Sequence, residues 1–481
     1  MTGPARERRA LLAILAAGAV LRLLFFARRS LWFDEANTLA VAMAPLADLP
    51  HLVRALEGFP PLHYLLLHFW LPLWSDPMVG LRSFSLVCGI AALAVFLSLC
   101  RRTVPGQERF ALLLGCLSSF WIHTAQDGRV YALFLLLALS SGRLLLALEE
   151  RWSWGRAAAY AGVCAAGLYA HNFFLLLLCA NVAYLVLSPR REPGRWRRWL
   201  AVFAAIAAVY LPWLASLPAQ VRNWSAVSVL SAPLSASQLL YLLGNMLCDT
   251  GFLGFAHEGW TRVAGLAVLA TAAGIALWRR ATPEQRRHAL FCLVHIAVPL
   301  AAAKGLELAL RRPVTQTRYL VFVSPFLFLW FAWIVGRLEG LPGQALRAGI
   351  VVLFLAGAAA YHAAGIFVDP HLRELADAIR RGSPSGCAVV HLDAYYYTPL
   401  RYYYLPQRPH YLFDPGSRTL NWGALPGYPA APGQKRISRM GTCVVVDPQR
   451  RLFATRLGRA TGRQLTAALA AQPSLIRPAG P

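Results

Sequence analysis

The sequence predicts an all-α polytopic membrane protein with a small α/β domain at its C-terminal end. Three observations lead there. Of 481 residues, 57% are hydrophobic and the mean hydropathy is +0.48, too apolar for a soluble globular chain of this size. A series of apolar stretches approaches the ~20 residues that cross a bilayer as a helix. After residue 367 the long apolar runs stop and short β-type runs replace them.

In chain order the stretches fall near 10–27, 79–100, 109–126, 130–148, 155–170, 172–188, 199–217, 260–278, 287–304, 317–336 and 345–366. The run 60–74 (PPLHYLLLHFWLPLW) has 15 residues and Pro near both ends. Charge decides whether it crosses. With the N-terminus cytoplasmic and 60–74 not crossing, the inside segments hold 19 Arg against nine Lys/Arg in the short outside segments. A crossing would invert every later loop and put the basic segment 189–198 (PRREPGRWRR) outside. The positive-inside rule therefore favours about eleven transmembrane helices, with 60–74 re-entrant or interfacial. The loop 28–64 and the chain after 367 then lie outside. The first segment has the basic start and apolar core of a signal peptide. However, Phe25 stands where cleavage needs a small residue, and Arg28-Arg29 follow, so we read an uncleaved anchor.

This gives a membrane domain, 1–367, including an outer loop 28–64, and an extracytoplasmic α/β domain, 368–481. In the latter, 371–381 suits a helix, while Cys387–Leu392 and Cys443–Val446 suit strands. The aromatic stretch 395–404 (YYYTPLRYYY) suits a place near the membrane or a glycan. Cys387 and Cys443 each open a strand, and an oxidising compartment would permit a disulfide whose geometry sequence cannot fix. The other cysteines fall mostly within predicted helices, where a small buried apolar residue is the ordinary role.

Net charge is +25, carried almost wholly by Arg; Lys304 and Lys435 are the only lysines. A GC-rich coding composition with basic inside loops accounts for this, and so does recognition of phosphate, for which Arg is well shaped. Nucleic acid is not an expected partner.

The chemistry-bearing residues gather on the outer side. Asp34 and Glu35 are adjacent carboxylates just beyond the first helix, an arrangement that is costly at a membrane face unless it has work to do. The segment 34–56 has roughly helical spacing broken by Pro45 and Pro50, which fits short surface helices. Pro60-Pro61 then restarts the chain, with His63 in the first turn. Within the first helix, Arg22 either faces protein or snorkels to the interface. The turn Asp127-Gly128-Arg129-Val130-Tyr131 is either a local ion pair or a second acid beside a phosphate contact. His171-Asn172 sits at a tight outside junction, as a helix cap or as part of a site. Arg311, Arg312 and Arg318, followed by Tyr319, lie outside against the charge rule, which points to an anionic ligand or to lipid headgroups. The sequence carries no CxxC, HExxH, Walker A or GxGxxG signature and no convincing repeat.

Taken in order, the set Trp32-Phe33-Asp34-Glu35, Pro60-Pro61-Leu62, Gln126-Asp127-Gly128-Arg129-Val130-Tyr131, Tyr169-Ala170-His171-Asn172-Phe173, Leu211-Pro212-Trp213 and Arg318-Tyr319 followed by Pro325 is a pattern. It resembles the bacterial membrane glycosyltransferases of the protein-mannosyltransferase and aminoarabinose-transferase group, glycosyltransferase family 39-like, with the C-type fold. The resemblance covers about residues 10–370. Two departures stand out. Phe59 and His63 replace the His and Tyr that relatives often carry around the Pro-Pro pair, and Asp127-Gly128-Arg129 replaces a common Glu-Ala-Arg.

The resemblance implies a multi-pass enzyme of the bacterial plasma membrane. Its donor is a polyprenyl-phosphate sugar, and its acceptor is a hydroxyl on a lipid, polysaccharide or protein. A lipid-held donor needs no nucleotide fold, in keeping with the missing motifs. It implies an inverting displacement, in which Asp34 takes the acceptor proton and Glu35 supports or orients it. Arg129 and Arg318, with Arg312 behind them, would hold the phosphate. Asp127, Tyr131, His63, His171 and Tyr319 are further substrate-binding candidates. Hard oxygen ligands at Asp34, Glu35 and Asp127 would suit Mg²⁺ or Mn²⁺; related enzymes differ on metal need, and no cofactor is assigned. The rival readings are a transporter or flippase of lipid-linked sugars and a non-catalytic assembly subunit.

Overall fold

A computed structural model describes residues 4–56, 59–188, 192–218, 220, 233–247, 274, 277–313, 315–364, 372–382, 388–391, 394–408, 410–414, 419–421, 443–446 and 452–453. Cys387 and most of the expected span 260–278 lie outside the described residues. The protein is a multi-pass membrane protein. Six described helices are long and apolar enough to cross a bilayer, namely Pro77–Thr103, Tyr131–Glu150, Arg195–Leu214, Pro283–Leu310, Thr317–Val335 and Gly340–Ala363.

By contacts the chain divides into two units. One comprises Met1–Ala27 with Leu49–Gly365, the other Arg28–Asp48 with Ile366–Pro481.

In the first unit, helices follow the expected stretches closely: α1 (Pro4–Leu23), α3 (Leu49–Leu56), α4 (Leu62–Trp70), α5 (Pro77–Thr103), α6 (Glu108–Leu117) and α7 (Ser119–Gln126). They continue with α8 (Tyr131–Glu150), α9 (Trp154–Ala170), α10 (Phe174–Leu187), α11 (Arg195–Leu214), α12 (Ala236–Leu247), α13 (Pro283–Leu310), α14 (Ser324–Val335) and α15 (Gly340–Ala364). The short run at 60–74 forms α4 and one 3-10 turn, well under a bilayer-spanning length. Asp76 accepts from the Met78 and Val79 amides and so starts α5, with Pro77 in the first turn.

One expected span is not a single helix. The stretch 109–126 breaks at Ser118 into α6 and α7, and Ser118 Oγ caps α7 by accepting from the Trp121 amide. Breaking a helix inside a membrane orphans carbonyls, which must be met within the protein. Arg22 meets them. Its side chain is fully buried and donates to Gly115 O at 2.9 Å, Cys116 O at 3.2 Å and Gly18 O at 2.9 Å. Gly18 lets α1 come that close, because a Cβ there would lie 2.5 Å from Cys116 Sγ. Of the two sequence readings of Arg22, the intraprotein one holds. Gln126 finishes the clasp, donating to Arg22 O and Leu24 O while accepting from Tyr361 Oη of α15, each at 2.8 Å. Arg22→Met should therefore leave buried carbonyls unmet, at about 1–3 kcal/mol per lost group. We expect it to lower the thermal midpoint in detergent well beyond the effect of Arg101→Met at an exposed position, measured by tryptophan fluorescence.

A buried ion pair ties α8 to α11. Arg195 Nη2 stands 2.8 Å from Glu149 Oε2, Trp199 Nε1 donates to Glu149 Oε1, and Ser188 Oγ donates to Oε2. With both charges hydrogen-bonded, the pair escapes the penalty of a lone buried ion.

The second unit holds α2 (Phe33–Ala42), α16 (Leu372–Gly382), α17 (Ala394–Pro399), a π-helical turn Leu400–Tyr404 and a five-stranded sheet. Sheet order is β3-β2-β1-β4-β5, for β1 (Ala388–His391), β2 (His410–Asp414), β3 (Thr419–Asn421), β4 (Cys443–Val446) and β5 (Leu452–Phe453). β1 and β2 are parallel and the other neighbours antiparallel, with His391 opposite Cys443. The strands read from the sequence at 387–392 and 443–446 are the adjacent inner strands β1 (Ala388–His391) and β4 (Cys443–Val446).

Candidate active site

The first unit gathers an aromatic box around two arginines. Phe59 precedes the Pro pair, Tyr131 opens α8, His171 closes α9, and Arg318-Tyr319 lie in a 3-10 segment before α14. The Phe59 ring lies 4.7 Å from that of His171 and 5.7 Å from that of Tyr319, centroid to centroid. Tyr131 and Tyr319 are 6.2 Å apart. Arg129 Cζ lies 5.5 Å from the centre of the Phe59 ring, within cation–π reach, and Arg318 Cζ stands 5.7 Å from the ring centres of both Tyr131 and Tyr319. The box also adjoins the N-terminal ends of α8 and α10, where helix dipoles favour an anion.

His171 is completely buried and stacked flat on Phe134, 4.5 Å apart and tilted by 9°. Its Nδ1 accepts from the Phe173 amide at 3.1 Å. That fixes the tautomer, because an accepting Nδ1 leaves the proton on Nε2. Nε2 has no partner among the described residues. Burial, then Arg129 and Arg318, pushes this imidazole down to about 3. It is a neutral donor between two cations. His63, buried on the short helix α4, is also pushed down to about 3, by burial and then by Arg129.

The signs of these shifts give a stability prediction. Each folded pKa lies below the unfolded value near 6.5, so the unfolded chain binds more protons between about 3 and 6.5. These groups therefore remove stability as pH falls through that window. We expect the thermal midpoint in detergent to drop between pH 7 and pH 5, and His171→Phe to flatten that slope.

Residues that sequence reasoning passed over set the box in place. Ser85 Oγ donates to Arg129 O at 3.3 Å. Gln220 Nε2 donates to Phe59 O at 3.1 Å, and its Oε1 accepts from Asn172 Nδ2 at 3.2 Å. Gln316 Oε1 accepts from Arg318 Nε at 2.8 Å. Asp127 caps α7 and is buried two residues before Arg129. Arg312 follows the left-handed cap of α13, its amide on Glu307 O at 3.2 Å. Beside these elements runs an apolar groove of about 350 Å³. Ala161, Gly162, Ala165, Ala166 and Tyr169 of α9 line it, with Ala205 and Val209 of α11 and Leu62 of α4.

In the second unit the acid pair occupies the first turn of α2, where the helix dipole suits negative charge. Glu35 is buried and turns back to accept from the Trp32 amide at 3.4 Å. Asp34 is half-buried, and its carbonyl accepts from Thr38 Oγ1 at 2.9 Å. The two carboxylates are thus unlike, one folded onto its own helix start and one on the more open side. Among the described residues no three His, Cys, Asp or Glu side chains cluster as a metal site would need.

No protein-family model and no curated protein matches the sequence. The structure, however, is similar to that of ArnT from Cupriavidus metallidurans bound to undecaprenyl phosphate. The TM-score is 0.56 at 14% identity, covering 84% of this chain and 86% of that one. The chain has the C-type glycosyltransferase fold. ArnT in the apo state gives the same TM-score at 13% identity, over 85% of this chain and 86% of that one. The oligosaccharyltransferase of Archaeoglobus fulgidus in its apo form aligns at TM-score 0.49 and 12% identity, over 83% of this chain and 64% of that one. The fold class expected from the sequence, helices spanning the membrane with a small α/β part, is the one found.

Proposed function

We propose that the chain is a membrane glycosyltransferase that moves a sugar from a polyprenyl-phosphate donor to an acceptor hydroxyl on the extracytoplasmic side. In this reading the N-terminus is cytoplasmic and the C-terminal domain extracytoplasmic, in a bacterial plasma membrane. The observation that carries it is the box of Arg129, Arg318 and the His171 Nε2–H. Three donors, two of them cationic and one neutral, sit among aromatic rings, and the same unit carries an apolar groove lined by Tyr169, two residues before His171, and by Leu62, three residues after Phe59. A lipid phosphate has that polarity, an anionic head on an isoprenoid tail. One of the solved structures with this fold holds undecaprenyl phosphate. We assign the head to the box, with Tyr131 and Tyr319 as its walls, and the tail to the groove.

The chemistry follows from charge. Asp34 removes the proton from the acceptor hydroxyl. The acceptor oxygen forms a bond to the anomeric carbon as that carbon's bond to the phosphate oxygen breaks. Both electrons of the broken bond leave with polyprenyl phosphate, and attack from the opposite face inverts the anomeric centre. Arg129 and Arg318 stabilise the charge gathering on the leaving phosphate, and they act strongly because apolar walls exclude water. Glu35 holds the start of α2, Asp127 and His63 flank Arg129, and Arg312 supplies a further positive charge on the outer side.

The test is release of polyprenyl phosphate. Purified protein in detergent, given a panel of radiolabelled polyprenyl-phosphate hexoses and pentoses with membrane extract as acceptor source, should consume one donor and label an acceptor. Donor carried across liposomes without release would identify a transporter instead.

A further inference from the structure

We infer that Tyr404, far along the chain from the acid pair, is a positioning residue for the catalytic base. The inference rests on the reading of Asp34 as base. Its geometry lies wholly within the unit that contains both α2 and the C-terminal segment.

Leu31 immediately precedes the cap of α2, and its amide is fully buried. A buried N–H must find an acceptor, because water cannot reach it. Among the described residues no backbone carbonyl takes this one. The Tyr404 hydroxyl does, at 2.7 Å, from 373 positions away in sequence. The next amide, Trp32, is taken by Glu35. Two successive amides at the head of α2 are thus held by side chains, and only one of those side chains is local. Asp34 stands three residues past Leu31, so the angle at which the chain enters α2 sets where its carboxylate points.

Tyr404 is itself held with unusual care. It ends the π-helical turn Leu400–Tyr404, whose closing bond runs from the Leu405 amide to Leu400 O at 2.7 Å. Such turns are rare and cluster at functional sites, since the extra residue rotates the side chains that follow. The Arg380 guanidinium of α16 bonds Tyr404 O, and the Arg373 amide of α16 donates to Ser30 Oγ at 3.2 Å. The aromatic stretch 395–404 therefore has a role that its composition does not disclose. Its last hydroxyl pins the loop that carries the base.

The experiment compares full-length wild type, Tyr404→Phe and Tyr403→Phe in detergent. Phe keeps the ring and removes only the acceptor oxygen. Amide exchange over residues 30–36, followed by mass spectrometry, should speed up at least tenfold in Tyr404→Phe and stay unchanged in Tyr403→Phe. In the donor-release assay Tyr404→Phe should lose roughly tenfold in kcat with KM for the donor unchanged, a split that a general loss of folded protein would not give. Unchanged exchange overturns the inference. So does faster exchange with unaltered kcat, since the bond would then hold the helix without serving the base. If wild type releases no phosphate from any donor, the transferase reading fails. The exchange result then decides separately whether Tyr404 holds the start of α2.

Discussion

Asp34→Asn is expected to lower sugar transfer by about 10²–10⁴-fold, the usual worth of a positioned general base, while leaving the protein folded. The substitution keeps side-chain size and the half-buried setting, and it touches neither the Thr38 hydroxyl bond, which uses the Asp34 backbone carbonyl, nor the Trp32–Glu35 bond. What it removes is the capacity to take a proton. The decisive comparison is with Glu35→Gln. An amide oxygen at that position still accepts from the Trp32 amide, so Glu35→Gln should retain most activity if its work is to hold the helix start. The two variants therefore separate proton transfer from positioning across adjacent residues. Each is measured as single-turnover release of polyprenyl phosphate at saturating donor, with the thermal midpoint recorded beside it. Equal release by wild type and Asp34→Asn would move the base elsewhere, with Asp127 the next carboxylate to test.

Much of the helical unit was legible because a bilayer imposes a simple rule on the backbone. Apolar length and the asymmetry of Arg across loops are both local properties, and α5, α8, α9, α11, α13 and α15 fall where those properties put them. The break at Ser118 was not legible. From Phe110 to Ile122 the run is apolar apart from its two serines, and the break stands because Arg22, on another helix, supplies the hydrogen bonds that the backbone forfeits. A charge within an apolar helix announces a partner but does not name it.

The same limit governs the site. His171, Arg129 and Arg318 were visible as polar residues at outer turns, but the aromatic walls that bring them together come from four separate stretches of chain. Ser85 and Gln220 carry no sequence signal at all. Each is a neutral polar residue that donates a hydrogen bond to a distant backbone carbonyl. The grouping of residues 28–48 with the C-terminal segment is of this kind too, since it depends on contacts across more than three hundred residues.

Arg129 should prove the most sensitive residue of the box. Arg129→Met removes a cation from an apolar enclosure, where a charge stabilising a developing anion is worth roughly 10²–10³ in rate. The loss should appear mainly in kcat, because the phosphate, already singly charged in the donor, gains its second negative charge only as the bond breaks. Arg129→Lys separates charge from shape. Lysine keeps the positive charge but has neither the broad planar guanidinium that lies against Phe59 nor the forked donors that can meet two phosphate oxygens. We therefore expect Lys to recover only a minor part of what Met loses. Phe59→Leu should reproduce a fraction of the Arg129→Lys effect, because it removes the wall while leaving the arginine. Arg318 has two walls, Tyr131 and Tyr319, and a side-chain partner in Gln316, so single wall substitutions there should cost less. If Arg129→Lys matched wild type, charge alone would suffice and the aromatic box would be packing. If Arg129→Met matched wild type, the phosphate would not be bound at this residue. Rates for the four proteins with one donor, at pH values where His171 stays neutral, distinguish these outcomes directly.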